Sequence, residues 1–166
     1  GQFHKAGFDA ERIEECHGSI HHLQCIQPCT DQIWTEEGLI VNVDEIKFEA
    51  ENPLPGCKNC CNLSRPNVLM FGDSNWISQR TDEQSLNLQK WLQKIKTEKG
   101  NLVIIELGAG LSVPTVRRTS ESILKSIKGI LIRINPIDYK VPSGNISIPF
   151  GALEGIKKIL NKLYDF

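Results

Sequence analysis

The sequence predicts an α/β protein: a doubly wound, mainly parallel sheet with a small cysteine-stapled module inserted. Three observations carry that expectation. Two close cysteine pairs, Cys25 with Cys29 and Cys57 with Cys60, bracket short β-like pieces. Beyond them, nearly continuous apolar strands alternate with helical patterns, as in parallel sheets covered on both faces. The strand candidate Leu102–Leu107 runs straight into Gly108-Ala109-Gly110, at the carboxyl end where such sheets bind ligands.

Taken in order, Gly1 to Gly7 reads as a turn or short helix. Arg12 to Cys16 reads as a strand entering a loop at His17-Gly18-Ser19, and Ile20 to Gln24 leads to the first cysteine pair. Between Ile33 and Phe48, β-like pieces such as Leu39–Val43 are interrupted by Gly38 and by acidic residues. Asn52-Pro-Leu-Pro-Gly56 is a chain breaker that hands over to the second pair. A strand over Asn67–Phe71 ends at Gly72-Asp73. A helix is predicted over 81–98, carrying Leu86, Leu88, Leu92 and Ile95. After the Leu102–Leu107 strand, a helix follows Pro114 and stops before Gly129. Ile130–Ile134 and Ile146–Pro149 complete the strands, and Ala152–Leu163 forms a closing helix. Trp34, Trp76 and Trp91 read as packing residues, and Arg117 and Arg118 as a solvated helix face.

The cysteine spacing has a specific chemical meaning. C-x3-C followed by C-x2-C offers four thiolates to one borderline-soft, redox-inert cation, the pattern of a tetrahedral zinc site. Four thiolates leave no open position for water, so that zinc is structural. Residues 20–65 are too few to hold together by core burial alone, and a metal supplies what the core cannot. Of six cysteines, Cys16 and Cys61 are left over. Cys16 neighbours His17, but adjacent residues on a strand face opposite sides, which places Cys16 in the core. His21 and His22 lie near Cys25, yet four sulfurs already close the site, leaving the two histidines surface or packing roles.

Composition narrows the function classes. With 40% hydrophobic and 23% charged residues, a buried core is available and global disorder is excluded. The net charge of −1 and the absence of a basic run argue against nucleic acid as a partner. No apolar run approaches the ~20 residues that cross a bilayer, and no signal peptide is visible. Cysteines without secretory features point to a reducing, intracellular setting, cytoplasmic or nuclear.

Together these pieces resemble the sirtuins, a family of NAD-dependent protein deacylases. Gly1-x-x-x-x-Ala6-Gly7 is similar to the segment after that family's Asn-x-Asp motif. Glu15-Cys16-His17-Gly18-Ser19 resembles its His-Gly motif, and the four paired cysteines match its zinc module. Pro66-Asn-Val-Leu-Met-Phe71-Gly72-Asp73 looks like its Pro-x-Val-Val-x-Phe-Gly-Glu strand. Gly108-Ala109-Gly110-Leu111-Ser112-Val113 resembles its Gly-Thr-Ser-Leu-x-Val loop, and Ile134-Asn135 its Ile-Asn ribose contact. Asp73 stands in place of the glutamate, and Ala109-Gly110 in place of Thr-Ser, removing two hydroxyls.

The resemblance implies a Rossmann-like NAD-binding domain formed by residues 1–19 and 66–166, with the zinc module at 20–65. It implies NAD and zinc as cofactors and an acylated-lysine protein or peptide as substrate. His17 is the implied general base, a role that suits histidine because an unperturbed imidazole, with a pKa of ~6.5, is available in its neutral form at cellular pH. Gly108, Ala109, Gly110, Leu111, Ser112 and Asn135 would face the cofactor. Leu69, Phe71 and Gly72 would line the acyl-lysine tunnel, the peptide adding as a strand. The family's Gly-Ala-Gly-x-Ser loop and Asn-x-Asp motif would precede Gly1. The expectation is therefore the C-terminal two thirds of a sirtuin, with little activity alone and an exposed apolar sheet edge. Two further classes share these features: an NAD glycohydrolase or ADP-ribosyltransferase relative, and a non-catalytic zinc-stabilised binding module.

Overall fold

Residues 1–35 and 38–164 are described by the computed structural model, which falls into two units, Gly1–Lys90 and Trp91–Phe166. Glu36 and Glu37, among the acidic residues expected to interrupt the early β-like pieces, lie outside the described residues.

The first unit begins with a one-turn helix, α1 (Gln2–Lys5), and a 3₁₀ turn over Ala10–Arg12. The predicted strand over Arg12–Cys16 does not form. Asp9 caps the 3₁₀ turn by accepting the Glu11 amide at 3.1 Å, and the chain then turns again at Cys16-His17. Strand β1 (Gly18–Cys25) pairs antiparallel with β4 (Ser64–Val68), from Gly18 opposite Val68 to Cys25 opposite Ser64, with a register shift between Ser19 and Leu23. Between them in sequence, β2 (Val43–Asp44) and β3 (Glu49–Ala50) form a small antiparallel ladder. The strand predicted over Asn67–Phe71 thus sits earlier in the chain, and its partner is β1 rather than a parallel neighbour. Its end is set by a turn in which the Asp73 amide donates to the Met70 carbonyl and Arg65 pairs with Asp73 at 2.7 Å.

Polar residues tie this pair of strands to residues 75–77. Gln24 and Asn67 are fully buried. Asn67 Nδ2 donates to Gln24 Oε1 at 2.9 Å and to the Ile77 carbonyl at 2.8 Å, while Ile77 N donates back to Gln24 Oε1 at 3.0 Å. Gln24 Nε2 reaches the Asn75 carbonyl at 2.7 Å. Two buried amides therefore fix the segment that leads into helix α2 (Gln79–Thr97); leaving one such group unpaired costs about 1–3 kcal/mol.

The second unit holds a parallel sheet in the order β5 (Leu102–Leu107), β6 (Gly129–Ile134), β7 (Ile146–Ile148). Helix α3 (Thr115–Ser126) connects β5 to β6, and α4 (Ala152–Tyr164) follows β7. Leu131 and Ile134 are fully buried, and Leu102 and Ile127 join them in the core. Two glycines permit close approach. A Cβ at Gly129 would meet the Leu102 carbonyl oxygen at 2.4 Å, and one at Gly155 would meet Ile134 Cγ2 at 2.5 Å. Within this core lies an ion cluster: Glu106 and Arg133 stand directly opposite each other in the β5–β6 register, and Arg133 also reaches Glu121 at 2.9 Å. Among the described residues β5 is an edge strand, and its Val103, Ile105 and Leu107 are exposed. The α/β class, the parallel sheet and the cysteine-stapled module are all present. Trp91 departs from its expected packing role, being half exposed.

Candidate functional site

The four cysteines converge. β1 delivers Cys25 at its last residue, and the turn of Cys57–Cys61 returns the second pair, with Cys61 N donating to the Cys57 carbonyl at 2.9 Å. Sγ atoms of Cys25, Cys29, Cys57 and Cys60 all lie within 4.8 Å of one another. Cys25 and Cys60 are 3.7 Å apart, and Cys29 and Cys57 3.6 Å. A tetrahedron with Zn–S bonds of ~2.3 Å has S–S edges of about 3.8 Å, so the donor set fits a four-coordinate metal. Asn59 supports it from outside, donating its amide to Cys57 Sγ at 3.5 Å and its Nδ2 to Cys29 Sγ at 3.3 Å. The electrostatics agree. Backbone N–H groups of Cys60 and Asn59 draw the Cys57 thiol down to about 7. At Cys60 the Asn62 amide works in the same direction, but the thiols of Cys29, Cys25 and Cys57 outweigh it and push the group up to about 12. Four thiols this close cannot all ionise without a cation between them.

His21 is exposed and His22 half-buried, and neither joins the sulfur cluster. Burial chiefly lowers the pKa of His22. Cys61 is exposed, at a left-handed φ of 60°.

His17 occupies the turn before β1. Its carbonyl accepts the Leu69 amide at 2.9 Å, so its backbone lies beside the end of β4, just before the segment with Leu69, Phe71 and Gly72. Gly18 must be glycine there: φ is +79°, and a Cβ would meet the Asn67 carbonyl oxygen at 2.0 Å. Because Cys16 and His17 share a turn rather than a strand, they do not face opposite sides as expected; Cys16 Sγ is 3.7 Å from His17 Nδ1. The thiol is not thereby a nucleophile, since burial, with the Glu14 charge, raises its pKa. Leu69 is half-buried, whereas Phe71 is 93% exposed and Gly72 takes a φ of +68°.

In the second unit the glycine loop and Asn135 are brought together. Gly108, at φ +72°, donates its amide to the Ile134 carbonyl at 2.9 Å, and nothing lies within 4 Å of where its Cβ would be. Asn135 Nδ2 donates to the Ala109 carbonyl at 3.3 Å, and its Oδ1 accepts the amides of Ile137 and Asp138 at 2.9 and 2.8 Å. Asp138 Oδ2 in turn accepts the Leu111 amide at 3.1 Å. Leu111 and Ser112 are exposed. Asp138 carries no sequence signal of its own, since the Asx-type turn that takes its amide belongs to Asn135 and its carboxylate serves a residue 27 positions away. Arg117 is not a solvated side chain: it donates to the carbonyls of Asp138 and Lys140 at 2.9 and 2.8 Å.

A sequence profile of the Sir2 family matches residues 2–113, more than half of the chain. The chain belongs to the Sir2 family, the sirtuins. A protein of Fusarium oxysporum f. sp. cubense, described as a probable bifunctional ADP-ribose hydrolase/ADP-ribosyltransferase, is 29% identical over 126 residues, covering 71% of this chain and 21% of its own length. Two solved structures of Sir2 homologues, one a histidine-to-asparagine and one a serine-to-alanine mutant, both in complex with ADP-ribose, share the fold. They superpose with TM-scores of 0.56 and 0.50, at 18% and 19% identity, over 92% and 90% of this chain. The chain spans about half the length of those structures, 53% and 54%, and about a fifth of the curated relative. Members of the Sir2 family are NAD-dependent enzymes, deacylases or ADP-ribosyltransferases. Among the described residues no helix is long and apolar enough to cross a membrane.

Proposed function

We propose that this chain carries the zinc module, the general base and part of the nucleotide-facing loop of an NAD-dependent protein-lysine deacylase. The observation that carries the reading is the bond from Leu69 N to the His17 carbonyl at 2.9 Å. It supports the reading because it brings the backbone of His17 beside Leu69, at the start of the segment with Phe71 and Gly72 to which the reading assigns the extended peptide.

In this reading each residue has a limited task. Leu69 and Phe71 cover the aliphatic arm of an acylated lysine, and the bare backbone of Gly72 admits it. His17 takes a proton from a ribose hydroxyl at an imidazole nitrogen, with Nδ1 facing the Cys16 sulfur. The loop Gly108–Ser112, braced by Asn135, faces the adenosine portion of the cofactor; the open side of Gly108 leaves room for backbone to approach it. NAD, when bound, supplies the activated glycosidic bond to nicotinamide and the ribose that receives the acyl group. Zinc, held by Cys25, Cys29, Cys57 and Cys60, supplies folding energy rather than chemistry. The domain division is part of the same proposal: 1–19 and 66–166 as the nucleotide-binding part, 20–65 as the metal module. The substrate is a protein or peptide bearing acylated lysine.

A second reading, ADP-ribosyl transfer or NAD hydrolysis, is favoured by the description of the Fusarium relative, whose match covers 71% of this chain. Nicotinamide release separates the two. The 166-residue chain, and any longer product of its gene, is assayed with NAD, with and without an acetylated peptide. A deacylase releases nicotinamide only with the peptide and yields a deacetylated product. Release without peptide supports the second reading. Calorimetric titration showing no NAD binding by either form would reduce the chain to a binding module.

A further inference from the structure

We propose that Arg80, Thr81 and Gln84, on the first turns of α2, are positioning residues for His17 that act through Glu15. The inference rests on the reading of His17 as general base.

Glu15 is gripped at every polar group it owns. Its amide donates to Gln84 Oε1 at 2.9 Å. Its carbonyl accepts Thr81 Oγ1 at 3.1 Å and, from within the turn, the Gly18 amide at 2.8 Å. Its carboxylate pairs with Arg80 Nη2, both side chains being mostly buried. Fixing the N–H and the C=O of one residue fixes the direction in which the chain leaves it. The next two residues are Cys16 and His17. Beyond His17 the turn is locked from the other side, by the Leu69 bond and by a glycine conformation that no other residue adopts without strain. His17 therefore sits in the middle of a four-residue turn held at its first residue by α2 and at its last by β4.

A simple anchor for α2 would not need this arrangement. Thr81 is 7% exposed and its hydroxyl is spent on a carbonyl already bonded to Gly18. An apolar residue of that shape would bury equally well, whereas the hydroxyl adds a direction. Catalysis by a proton acceptor depends on such directions, because a displacement of ~1 Å at the reacting group costs up to about 100-fold in rate.

The experiment uses the full-length gene product with three variants: Thr81→Val, which keeps the shape and removes the hydroxyl, Thr81→Ser, which restores it, and Arg80→Gln. Peptide-dependent NAD turnover, zinc content and melting temperature are measured, together with the ring signals of ¹³C-labelled histidine. The proposal expects Thr81→Val to lower kcat about 10-fold with KM for NAD within about twofold. It expects Thr81→Ser to recover kcat, zinc to stay stoichiometric, and the His17 ring signal to broaden or double in Thr81→Val and Arg80→Gln. An unchanged kcat in Thr81→Val, or a loss that Thr81→Ser fails to recover, overturns it. If Thr81→Val does not fold, Arg80→Gln is judged by the same criteria. If His17→Ala leaves turnover intact, the base assignment itself fails. The His17 ring signal then decides the positioning claim, and identical signals in all variants refute it.

Discussion

Replacing Glu106 by leucine should destabilise the second unit by about 3 kcal/mol, and the reason lies in what remains. Arg133 is 0% exposed, and Glu106 faces it from the matching position on β5 with two hydrogen bonds, from Nε and from Nη2 at 3.1 Å. Removing one partner of a buried ion pair typically costs ~3–5 kcal/mol, because the other charge stays desolvated. Glu121 remains 2.9 Å from Arg133 Nη2, but it is a third exposed and screened by water, so it offsets the loss only in part. The lower end of the range follows. At ~4–8 °C per kcal/mol for a unit of this size, the transition should fall by about 12–24 °C. The companion variant Glu106→Leu/Arg133→Met removes both charges and should recover most of the loss, since an apolar pair of similar volume is often neutral. Arg117, which donates to the Lys140 carbonyl at 2.8 Å, would still hold that carbonyl in the double variant. Thermal unfolding followed by circular dichroism and calorimetry measures both. A shift below about 1 kcal/mol for the single variant, or a double variant as unstable as the single, would refute the reasoning.

Other outcomes follow from the same structure. Cys57→Ser, or extraction of metal by a strong chelator, should unfold the module of residues 20–65, since structural zinc contributes on the order of 10 kcal/mol to small metal domains; a folded, zinc-free variant by circular dichroism and metal analysis contradicts this. His17→Ala in the full-length gene product should keep zinc and melting temperature while lowering deacylation ~10²–10⁴-fold. Burial works to raise the pKa of Glu15, but the hydrogen bond and charge of Arg80 outweigh it and hold the carboxyl below its usual range. Its stabilisation is then present above the unfolded value of ~4.3 and lost as pH falls through the folded value. The melting-temperature gap between wild type and Glu15→Gln should therefore close on acidification, and a gap constant to about pH 2 would contradict it. Gly18→Ala should cost more than about 1 kcal/mol in chemical unfolding, because the added Cβ meets the Asn67 carbonyl oxygen at 2.0 Å; an unchanged midpoint would contradict the strained turn.

Some of this was legible in the residues and some was not, for physical reasons. The cysteine pairs announced themselves because metal geometry constrains spacing along the chain, and the structure closes them into one cluster. Strands β5 and β6 were legible because their apolar runs are bounded by glycines that turn the chain or admit a neighbour. The pairing of β1 with β4 was hidden, since register across forty residues is set by contacts that no local pattern encodes. The Gln24–Asn67 hub is hidden because amides in a strand read as solvent-facing, whereas here Asn67 Nδ2 donates to Gln24 Oε1 and both side chains bond the backbone of residues 75–77. Arg117 read as a solvated helix face because its partners are backbone carbonyls, invisible to any charge pattern. Glu106 and Arg133 carried a signal that can be used elsewhere: one charge in each of two apolar strands, at equal distance from the strand ends.

The central claim, that this polypeptide serves an NAD-dependent protein deacylase, is tested most directly by nicotinamide release from the full-length gene product. NAD is supplied at saturation, with an acetylated peptide present or withheld. The account predicts nicotinamide and deacetylated peptide in equal amounts, only when the peptide is present, and loss of both in His17→Ala. Nicotinamide released at the same rate without peptide, with no deacetylated product, would contradict it.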